Sequence, residues 1–322
     1  MRKVVAAGSI LVDKINEIEA YPKAGELAQI RARSRVPGGL VPNTGCDVHI
    51  LDPRIPVAAF GAVGNDDDGR FAVAELRRRG LDTSGVVVKD AETSFTDVMS
   101  VPGGERTFFT YPGASAKWCY DDFPFEKVES GDLVILGYFL LLAKVDSGDG
   151  IRILRKLKGI GAETAIDLVS ENSNRYAIVK ICLPYVDNLV VNEIEASRLA
   201  GMDGTLRQVA ARLFELGVQK RVVIHTPEKG VSLLRDGTWT EVESVALPEG
   251  FIKGKTGAGD AFCAGCLVGI FNGLAEKEIL ELGGIAAVGA MSAPGAVEGM
   301  RPIAELKELV STLHSPTLNS NY

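Results

Sequence analysis

Short runs of almost entirely apolar residues recur along this chain, separated by stretches whose apolar residues follow a helical spacing. Strands of this kind are buried on both faces, as happens when helices cover both sides of a parallel sheet. The alternation therefore predicts an α/β fold with a mostly parallel central sheet. The runs lie at 3–7, 57–62, 132–137, 163–168, 188–192 and 222–226, and the predicted helices at 67–79, 148–158, 193–199, 205–216, 260–272, 276–291 and 303–313.

Two polar stretches, at about 14–36 and 93–112, interrupt this alternation. The first is predicted to be irregular or extended. The second alternates in polarity around a turn at 102–105, which is typical of a β-hairpin. Together they predict a small sheet inserted in a single domain that spans 1–322, either a lid that excludes water or an ordinary surface hairpin. The tail at 315–322 is predicted to be flexible.

The composition narrows the classes of partner. The chain has 322 residues and a net charge of −7 with no block of Lys and Arg, which disfavours nucleic-acid binding. The longest apolar stretch, 133–143, is too short to span a bilayer, so no membrane association is expected. The five cysteines indicate no disulfide framework, and Cys263 and Cys266 are more typical of buried thiols than of a metal site. A reducing cytoplasm is the expected location.

A glycine-rich turn, Gly257-Ala258-Gly259-Asp260, precedes a predicted helix of small residues. The N–H groups of such a turn and the positive end of the helix form an anion site. A carboxylate repels a phosphate, so Asp260 is better suited to take a proton from a hydroxyl that attacks the phosphate. An ordinary helix start explains the same residues without any catalysis.

Other positions suit a polyhydroxylated ligand or a nucleotide. Gly38 and Gly39 let backbone approach a ligand, Asn43 offers a donor and an acceptor, and Asp13 follows the first strand. A plain turn and a solvated carboxylate account for them as well. Further along, the pairs Asn192 with Glu195 and Thr226 with Gly230 indicate a capping box and a hairpin turn, or equally residues beside a nucleotide and a hydrated Mg²⁺.

Taken together and in this order, these segments resemble the PfkB family of sugar kinases, whose fold is named after ribokinase. The resemblance covers nearly the whole chain and implies a ribokinase-like three-layer αβα sandwich with a small β-sheet lid. It also implies MgATP-dependent phosphorylation of a hydroxyl on a sugar or nucleoside. The matching positions are Asp13, Gly38, Gly39, Asn43, 60–66, Arg106, Gly113, Ala114, Asn192, Glu195, Thr226, Gly230, 257–260 and 292–295.

The resemblance further implies roles for single residues. Asp260 would be the general base, and the amides of Gly257, Ala258 and Gly259 would form the anion hole. The substrate-binding residues would be Asp13, Gly38, Gly39, Asn43, Arg106 and Gly113. The nucleotide-binding residues would be Asn192, Glu195, Thr226, Gly230, Gly257 and Gly259, with Glu195 reaching Mg²⁺ through water.

Four positions depart from the family's pattern. The usual Asp-Thr pair is Gly254-Lys255 here, and in ribokinase-like members that aspartate helps to bind an activating monovalent cation, so the sequence leaves such a cation undecided. Glu228 replaces a usual glycine beside the nucleotide-site threonine. Leu40 stands where ribokinases often carry lysine, which disfavours ribose itself as the substrate.

The resulting hypothesis is a MgATP-dependent kinase that phosphorylates a small sugar or sugar acid. One alternative is a nucleoside kinase, for which Phe108, Phe109 and Tyr111 offer surfaces that could stack on a base. A second alternative is a non-catalytic sensor of a sugar or nucleotide. The edges of the predicted lid sheet also indicate a homodimer paired through the lid.

Overall fold

The computed structural model describes residues 1–101, 106–169 and 175–314. The predicted turn at 102–105 and the predicted flexible tail at 315–322 lie outside the described residues. Within them the chain forms thirteen strands and ten α-helices. The strands are β1 (Val4–Gly8), β2 (Leu11–Ile18), β3 (Ile30–Gly38), β4 (Val57–Gly64), β5 (Asp82–Lys89), β6 (Ser94–Ser100), β7 (Arg106–Tyr111), β8 (Leu133–Phe139), β9 (Glu163–Leu168), β10 (Asn188–Asn192), β11 (Arg221–His225), β12 (Lys229–Leu234) and β13 (Trp239–Glu243).

The helices connect these strands and close the chain. They are α1 (Cys46–Leu51), α2 (Asp67–Arg78), α3 (Gly113–Lys117), α4 (Gly150–Ile160), α5 (Ala177–Lys180), α6 (Glu193–Ala200), α7 (Leu206–Glu215), α8 (Ala258–Phe271), α9 (Glu276–Met291) and α10 (Ile303–His314). No helix in the described ranges combines the length and the apolar composition that crossing a membrane requires.

The central sheet contains nine strands in the order β13-β12-β11-β10-β9-β8-β1-β4-β5. Neighbours from β11 to β5 are parallel, while β12 and β13 extend one edge in antiparallel pairing. Along β1, Val5 and Ala7 belong to a core shared with α4, α6 and α7, whereas Val4 and Ala6 belong to a core shared with α8 and α9. Helices therefore cover both faces, and the predicted α/β sandwich with a mostly parallel sheet is confirmed.

A smaller sheet contains four strands in the order β3-β2-β6-β7. The first polar stretch forms β2 and β3, and the second forms the antiparallel pair β6 and β7, which confirms the predicted hairpin. Asp13 lies beside Thr96, and Thr96 lies beside Thr110, so the three side chains share one face of the sheet. Arg106 is on that face too, because it precedes Thr110 on β7 by an even number of residues.

Most predicted elements are confirmed to within a few residues, but the sequence pattern does not indicate the helical segment at 41–51. This segment is a π-helical turn, Val41–Gly45, that continues directly into α1. Pro42 and Asn43 are typical of a turn, and the sequence pattern predicts a turn there. Proline is nevertheless tolerated in the first helical turn, because the N–H that it lacks would have no partner there.

The helical segment at 41–51 buries a carboxyl group, that of Asp47, which has no exposed surface. Among the described residues, neither of its oxygens has a hydrogen-bond partner. Burial raises the pKa of Asp47 well above its usual range, the charge of Asp260 adds to the shift, and Arg79 opposes it. The folded protein therefore favours the protonated, neutral form of this side chain.

We expect Asp47→Asn to increase the free energy of unfolding at neutral pH. The unfolded chain ionises this carboxyl above about pH 4, whereas the folded chain keeps its proton, so the wild type loses stability as the pH rises through that region. An amide has no charge to desolvate, and the expected gain is about 1–3 kcal/mol at pH 8 and less at pH 5. Urea unfolding at the two pH values measures the difference.

Asp52→Asn is the matched control, because hydrogen bonds from Arg54 lower the pKa of Asp52. Removing that carboxylate is expected to give no gain in stability at either pH. If the gain from Asp47→Asn did not grow with pH, Asp47 would not be held neutral by the fold.

Candidate active site

Helix α8 begins at a turn that requires glycine. Gly257 precedes the helix at φ +79°, and a Cβ there would lie 2.7 Å from Ala296. The first amides of a helix have no partner inside it, so they and the positive helix end can bind an anion together. The Ala258 N–H is already partly engaged, since it donates to the Lys255 carbonyl over 3.3 Å.

Asp260 lies in the first turn of α8 and accepts hydrogen bonds from two distant parts of the chain. Asn43 Nδ2 donates to Oδ2 over 3.2 Å, and Thr44 Oγ1 donates to Oδ1 over 3.3 Å. The hydroxyl of Tyr138, at the end of β8, also donates to Oδ1. A carboxylate accepts about four hydrogen bonds, so an acceptor position on Oδ2 stays available for the hydroxyl of a ligand.

The surroundings of Asp260 act on its pKa in opposite directions. Burial raises the pKa of Asp260 to about 6, while the bonds from Tyr138, Asn43 and Thr44 keep it from rising further. Burial and the charge of Asp260 raise the pKa of the Tyr138 phenol well above its usual range, so the phenol stays a donor. At neutral pH Asp260 is mostly ionised and can accept a proton.

Asp13, on β2, faces the same space as Asp260. Burial raises the pKa of Asp13 to about 6, and the negative charge of Asp260 adds to the shift. Gly38 makes room for this carboxylate, since a Cβ at that position would overlap Asp13 Oδ2. The Gly39 carbonyl accepts the N–H of Asn43 over 3.0 Å. The structure therefore brings these predicted substrate-side residues together.

Arg106, on β7, joins the small sheet to the loop ahead of α8. Its Nη1 donates to Thr256 Oγ1 over 2.9 Å, and its Nη2 donates to the Pro294 carbonyl over 3.4 Å. The positive charge of Arg106 also opposes the upward shift in the pKa of Asp13. The guanidinium thus lies between the substrate side and the predicted phosphate side of the site.

A cavity of about 860 Å³ opens beside the first turn of α8. Its walls include the rings of His225 and Phe262, whose centroids are 4.8 Å apart. Burial lowers the pKa of His225 to about 4, so this ring is neutral at physiological pH and the wall is uncharged there. The predicted nucleotide-binding residues that line the cavity are Asn192, Thr226, Gly230 and Gly259, and Ala258 of the predicted anion hole lines it too.

Glu195 is buried behind this cavity in the predicted capping box. Asn192 Oδ1 accepts the Glu195 N–H over 2.9 Å, and Glu195 Oε2 accepts the Asn192 N–H over 3.1 Å. At the end of β9, burial raises the pKa of Asp167 well above its usual range, and the charges of Glu195 and Asp260 add to the shift. Asp167 is therefore repelled by two carboxyl groups at this edge of the sheet.

Within the parts of the chain that the structure describes, no group of three or more Asp, Glu, His or Cys side chains is arranged to hold a metal ion directly. Mg²⁺ usually keeps several waters and takes one or two carboxylates together with substrate phosphates. The negative charges of Glu195 and Asp260 near Asp167 fit such a hydrated cation. A monovalent cation lacks this support, since Gly254 offers no carboxylate and a Cβ there would lie 2.6 Å from the Pro294 carbonyl.

Gly113 and Thr226 have mostly local contacts. Gly113 starts α3, where a Cβ would approach the Glu92 carbonyl, and it takes no part in the described hydrogen bonds of Asp260. The Thr226 hydroxyl donates to Glu228 Oε2 over 2.9 Å and accepts the N–H groups of Glu228 and Lys229. Glu228, which stands where the family usually has glycine, is thereby tied into the hairpin turn.

Four residues at the site are missing from the sequence analysis: Thr44, Tyr138, Asp167 and Phe262. Tyr138 and Asp167 both lie near the carboxyl ends of apolar strands, which is where α/β proteins bind ligands. A polar side chain at the carboxyl end of an apolar strand is therefore the sequence signal that could identify both residues. Thr44 and Phe262 carried no such signal, because a hydroxyl after Asn43 and an aromatic ring in an apolar helix are ordinary features.

An anion-binding helix start, a carboxylate with room for a hydroxyl, and a large cavity share the carboxyl edge of one parallel sheet. This combination defines an α/β phosphotransferase. The model of the pfkB family of carbohydrate kinases matches residues 1–303, and the chain belongs to that family. The protein is therefore a carbohydrate kinase.

Individual relatives agree with this assignment. Ribokinase from Arabidopsis thaliana is 28% identical over 312 residues, which cover 92% of this chain and 78% of the relative. Fructokinase-1 from Zea mays is 27% identical over 325 residues, with 95% and 97% covered. The solved structure of Arabidopsis thaliana ribokinase complexed with ribose and ATP matches with a TM-score of 0.81 and 24% identity over 96% of this chain and 99% of that chain. The predicted ribokinase-like fold is thereby confirmed.

We expect Tyr138→Phe to raise the pKa of Asp260. The substitution removes a hydrogen bond that favours the ionised carboxylate, and a bond of this kind is worth about one pKa unit or more. The acidic limb of the pH profile of kcat/KM should therefore move to higher pH by about one unit. Tyr185→Phe is the matched control, since its hydroxyl accepts a bond from Arg155 outside the site. An unchanged acidic limb in Tyr138→Phe would remove this role from the phenol.

Proposed function

We propose that the protein transfers the γ-phosphate of ATP to a hydroxyl of a small sugar or sugar acid, with Asp260 as the general base. The location of Asp260 carries this proposal. Its helix presents Gly259 to the large cavity, while its carboxylate accepts a bond from Asn43 and lies near Asp13. A phosphoryl group that reaches out of the cavity and a hydroxyl that binds beside Asn43 and Asp13 would meet at this carboxylate.

The transfer forms a bond between the hydroxyl oxygen and the γ-phosphorus, and it breaks the bond from that phosphorus to the β–γ bridging oxygen. ADP leaves with the electron pair, and the hydroxyl proton passes to Asp260 Oδ2. The amides of Gly257, Ala258 and Gly259, with the helix dipole, stabilise the charge on the transferring oxygens without reorganising. A base in this position contributes about 10²–10⁴-fold to the rate.

The nucleotide occupies the cavity of about 860 Å³, with its phosphates toward the start of α8. Asn192, Thr226 and Gly230 line the part that takes the base and ribose. Glu195 and Asp167 would hold a hydrated Mg²⁺ through water, and the ion would neutralise part of the phosphate charge. Gly254 has no carboxylate that could bind a monovalent cation, and the proposed transfer uses none.

The acceptor substrate binds under the small sheet, which we propose acts as a lid that excludes water. Asp13, Thr96 and Thr110 form a polar row on the inner face, and the two threonine hydroxyls lie 3.2 Å apart. Such groups hydrogen-bond to the hydroxyls of a polyol. Arg106, on the same face, would also attract the carboxylate of a sugar acid.

A nucleoside is the second candidate substrate, and one aromatic side chain favours it. Alternation along β7 puts Phe108 on the face of Arg106, and puts Phe109 and Tyr111 on the opposite face. Tyr111 packs there against Phe95, with ring centroids 5.2 Å apart. Phe108 alone among the three aromatic residues is thus available to stack on a base, which makes a sugar the better-supported substrate.

We expect the protein to form a homodimer through the small sheet. Strands β3 and β7 are its edges, unpaired edges associate readily, and Phe109 on β7 is 58% exposed. Light scattering at micromolar concentration should give twice the chain mass of 34.3 kDa, and Phe109→Glu should give the monomer. Val88→Glu, at an exposed position on β5, is the control that should stay dimeric. A monomeric wild type would contradict the proposal.

Asp260→Asn should lose about 10²–10⁴-fold in kcat while it keeps the fold and the affinity for ATP. A coupled ADP-release assay with a panel of sugars, sugar acids and nucleosides measures turnover, and calorimetry measures ATP binding. Asp67→Asn is the matched control, because Asp67 is an exposed aspartate in the first turn of α2. Its turnover should equal that of the wild type.

Each outcome of the panel decides between the candidates. Turnover on sugars or sugar acids supports the proposal, and turnover on nucleosides alone selects the second candidate. ATP binding by the wild type with no turnover on any compound would favour a non-catalytic sensor. Full turnover by Asp260→Asn would exclude this residue as the base.

A further inference from the structure

The cavity proposed for the nucleotide carries few positive charges. Among its lining residues that the structure describes, the acidic ones are Glu193, Glu243 and Glu281, and the single lysine is Lys255, with no arginine. His225 adds no charge at neutral pH, because burial lowers the pKa of its ring to about 4. A nucleotide triphosphate carries several negative charges. Because acidic residues outnumber basic ones in the described lining, binding there depends strongly on the positive charge of Lys255.

Lys255 also lies at the end of the cavity next to the start of α8, where we propose that the phosphates bind. Its carbonyl accepts the Ala258 N–H over 3.3 Å, so the residue immediately precedes the turn that starts α8. The same helix end presents Ala258 and Gly259 to the cavity, and its dipole attracts anions. A cationic side chain and a positive helix end therefore adjoin the same space.

The neighbours of Lys255 in the loop are already engaged. Lys253 Nζ donates to the Gly250 carbonyl over 2.9 Å, and Thr256 Oγ1 accepts a bond from Arg106 over 2.9 Å. Within the described residues, by contrast, no carboxylate lies within ion-pair distance of Lys255, and its side chain is exposed. Its ammonium group is thus free to turn toward a ligand at no cost in broken bonds.

We propose that Lys255 binds the terminal phosphates of the nucleotide and supplies the positive charge that the rest of the cavity lacks. This inference rests on the proposed nucleotide site. Lysine acts as a point charge with three donors on a flexible stem, so it can follow the γ-phosphoryl group as the group moves toward the acceptor hydroxyl. Lys255 would then act on both the affinity for ATP and the rate of transfer.

The test compares the full-length wild type with Lys255→Met, Lys255→Arg and Lys253→Met. Calorimetry measures the binding of ATP and, separately, of adenosine. Lys255→Met should weaken ATP binding about 10- to 100-fold, the effect of losing a hydrogen bond to a charged group, and should leave adenosine binding unchanged. Lys255→Arg should retain most of the affinity for ATP. Lys253→Met, the matched control on the same loop, should behave as the wild type.

Binding of ATP by Lys255→Met as tight as that by the wild type would overturn the inference. An equal loss of affinity for adenosine would overturn it as well, because the effect would then lie in the shape of the cavity. A wild type that binds ATP but phosphorylates nothing would contradict the proposed kinase reaction, whereas the binding of ATP and adenosine by the variants would still test the role of Lys255. A wild type that does not bind ATP would contradict both the kinase reaction and the role of Lys255.

Discussion

To act as the proposed base, the carboxylate of Asp260 has to stay ionised at a position where burial favours its neutral form. Hydrogen bonds from Asn43, Thr44 and Tyr138 stabilise the charged state, and the opposing effects leave the pKa at about 6. Without these donors, burial would produce a carboxylic acid that cannot accept a proton at neutral pH. A salt bridge in their place would produce a weakly basic carboxylate. A pKa a little below the working pH preserves both the ionised form and its basicity.

The donors reach Asp260 because two neighbouring strands of the sheet, β1 and β8, fix them. At the end of β1, the Ser9 carbonyl accepts the Val41 N–H over 3.2 Å, and the Ser9 hydroxyl accepts the Leu40 N–H over 3.0 Å. These bonds hold the start of the helical segment that carries two of the donors. The third, Tyr138, is the penultimate residue of β8, which pairs with β1. Since α8 packs on the same face of these strands as the helical segment at 41–51, the core of the sandwich positions Asp260, the proposed base.

The sequence predicts the elements and the phosphate side of this site better than its interior. Apolar runs and helical periodicity depend on neighbouring residues, so they reveal β1, α9 and most other elements without knowledge of the tertiary fold. The Gly257–Asp260 turn is visible for the same reason, since its signal lies in consecutive residues. Tyr138 and Asp167 act through contacts with residues far away in the chain, which local patterns do not encode. The segment at 41–51 shows most clearly what local patterns miss. Pro42 and Asn43 favour a turn, whereas packing in the folded protein stabilises a helix there.

The small sheet brings a negative charge, that of Asp13, close to the negative charge of Asp260. Asp13 and Asp260 are both acidic, each near a pKa of about 6, and their charges repel at close approach. Arg106 opposes that repulsion, and it belongs to the same face of the same sheet as Asp13. The cation therefore lies on the same face as the anion whose charge it offsets. Because Arg106 also bonds to Thr256, just before the Gly257 turn, the small sheet and the loop that leads into α8 are joined beside Asp13 and Asp260.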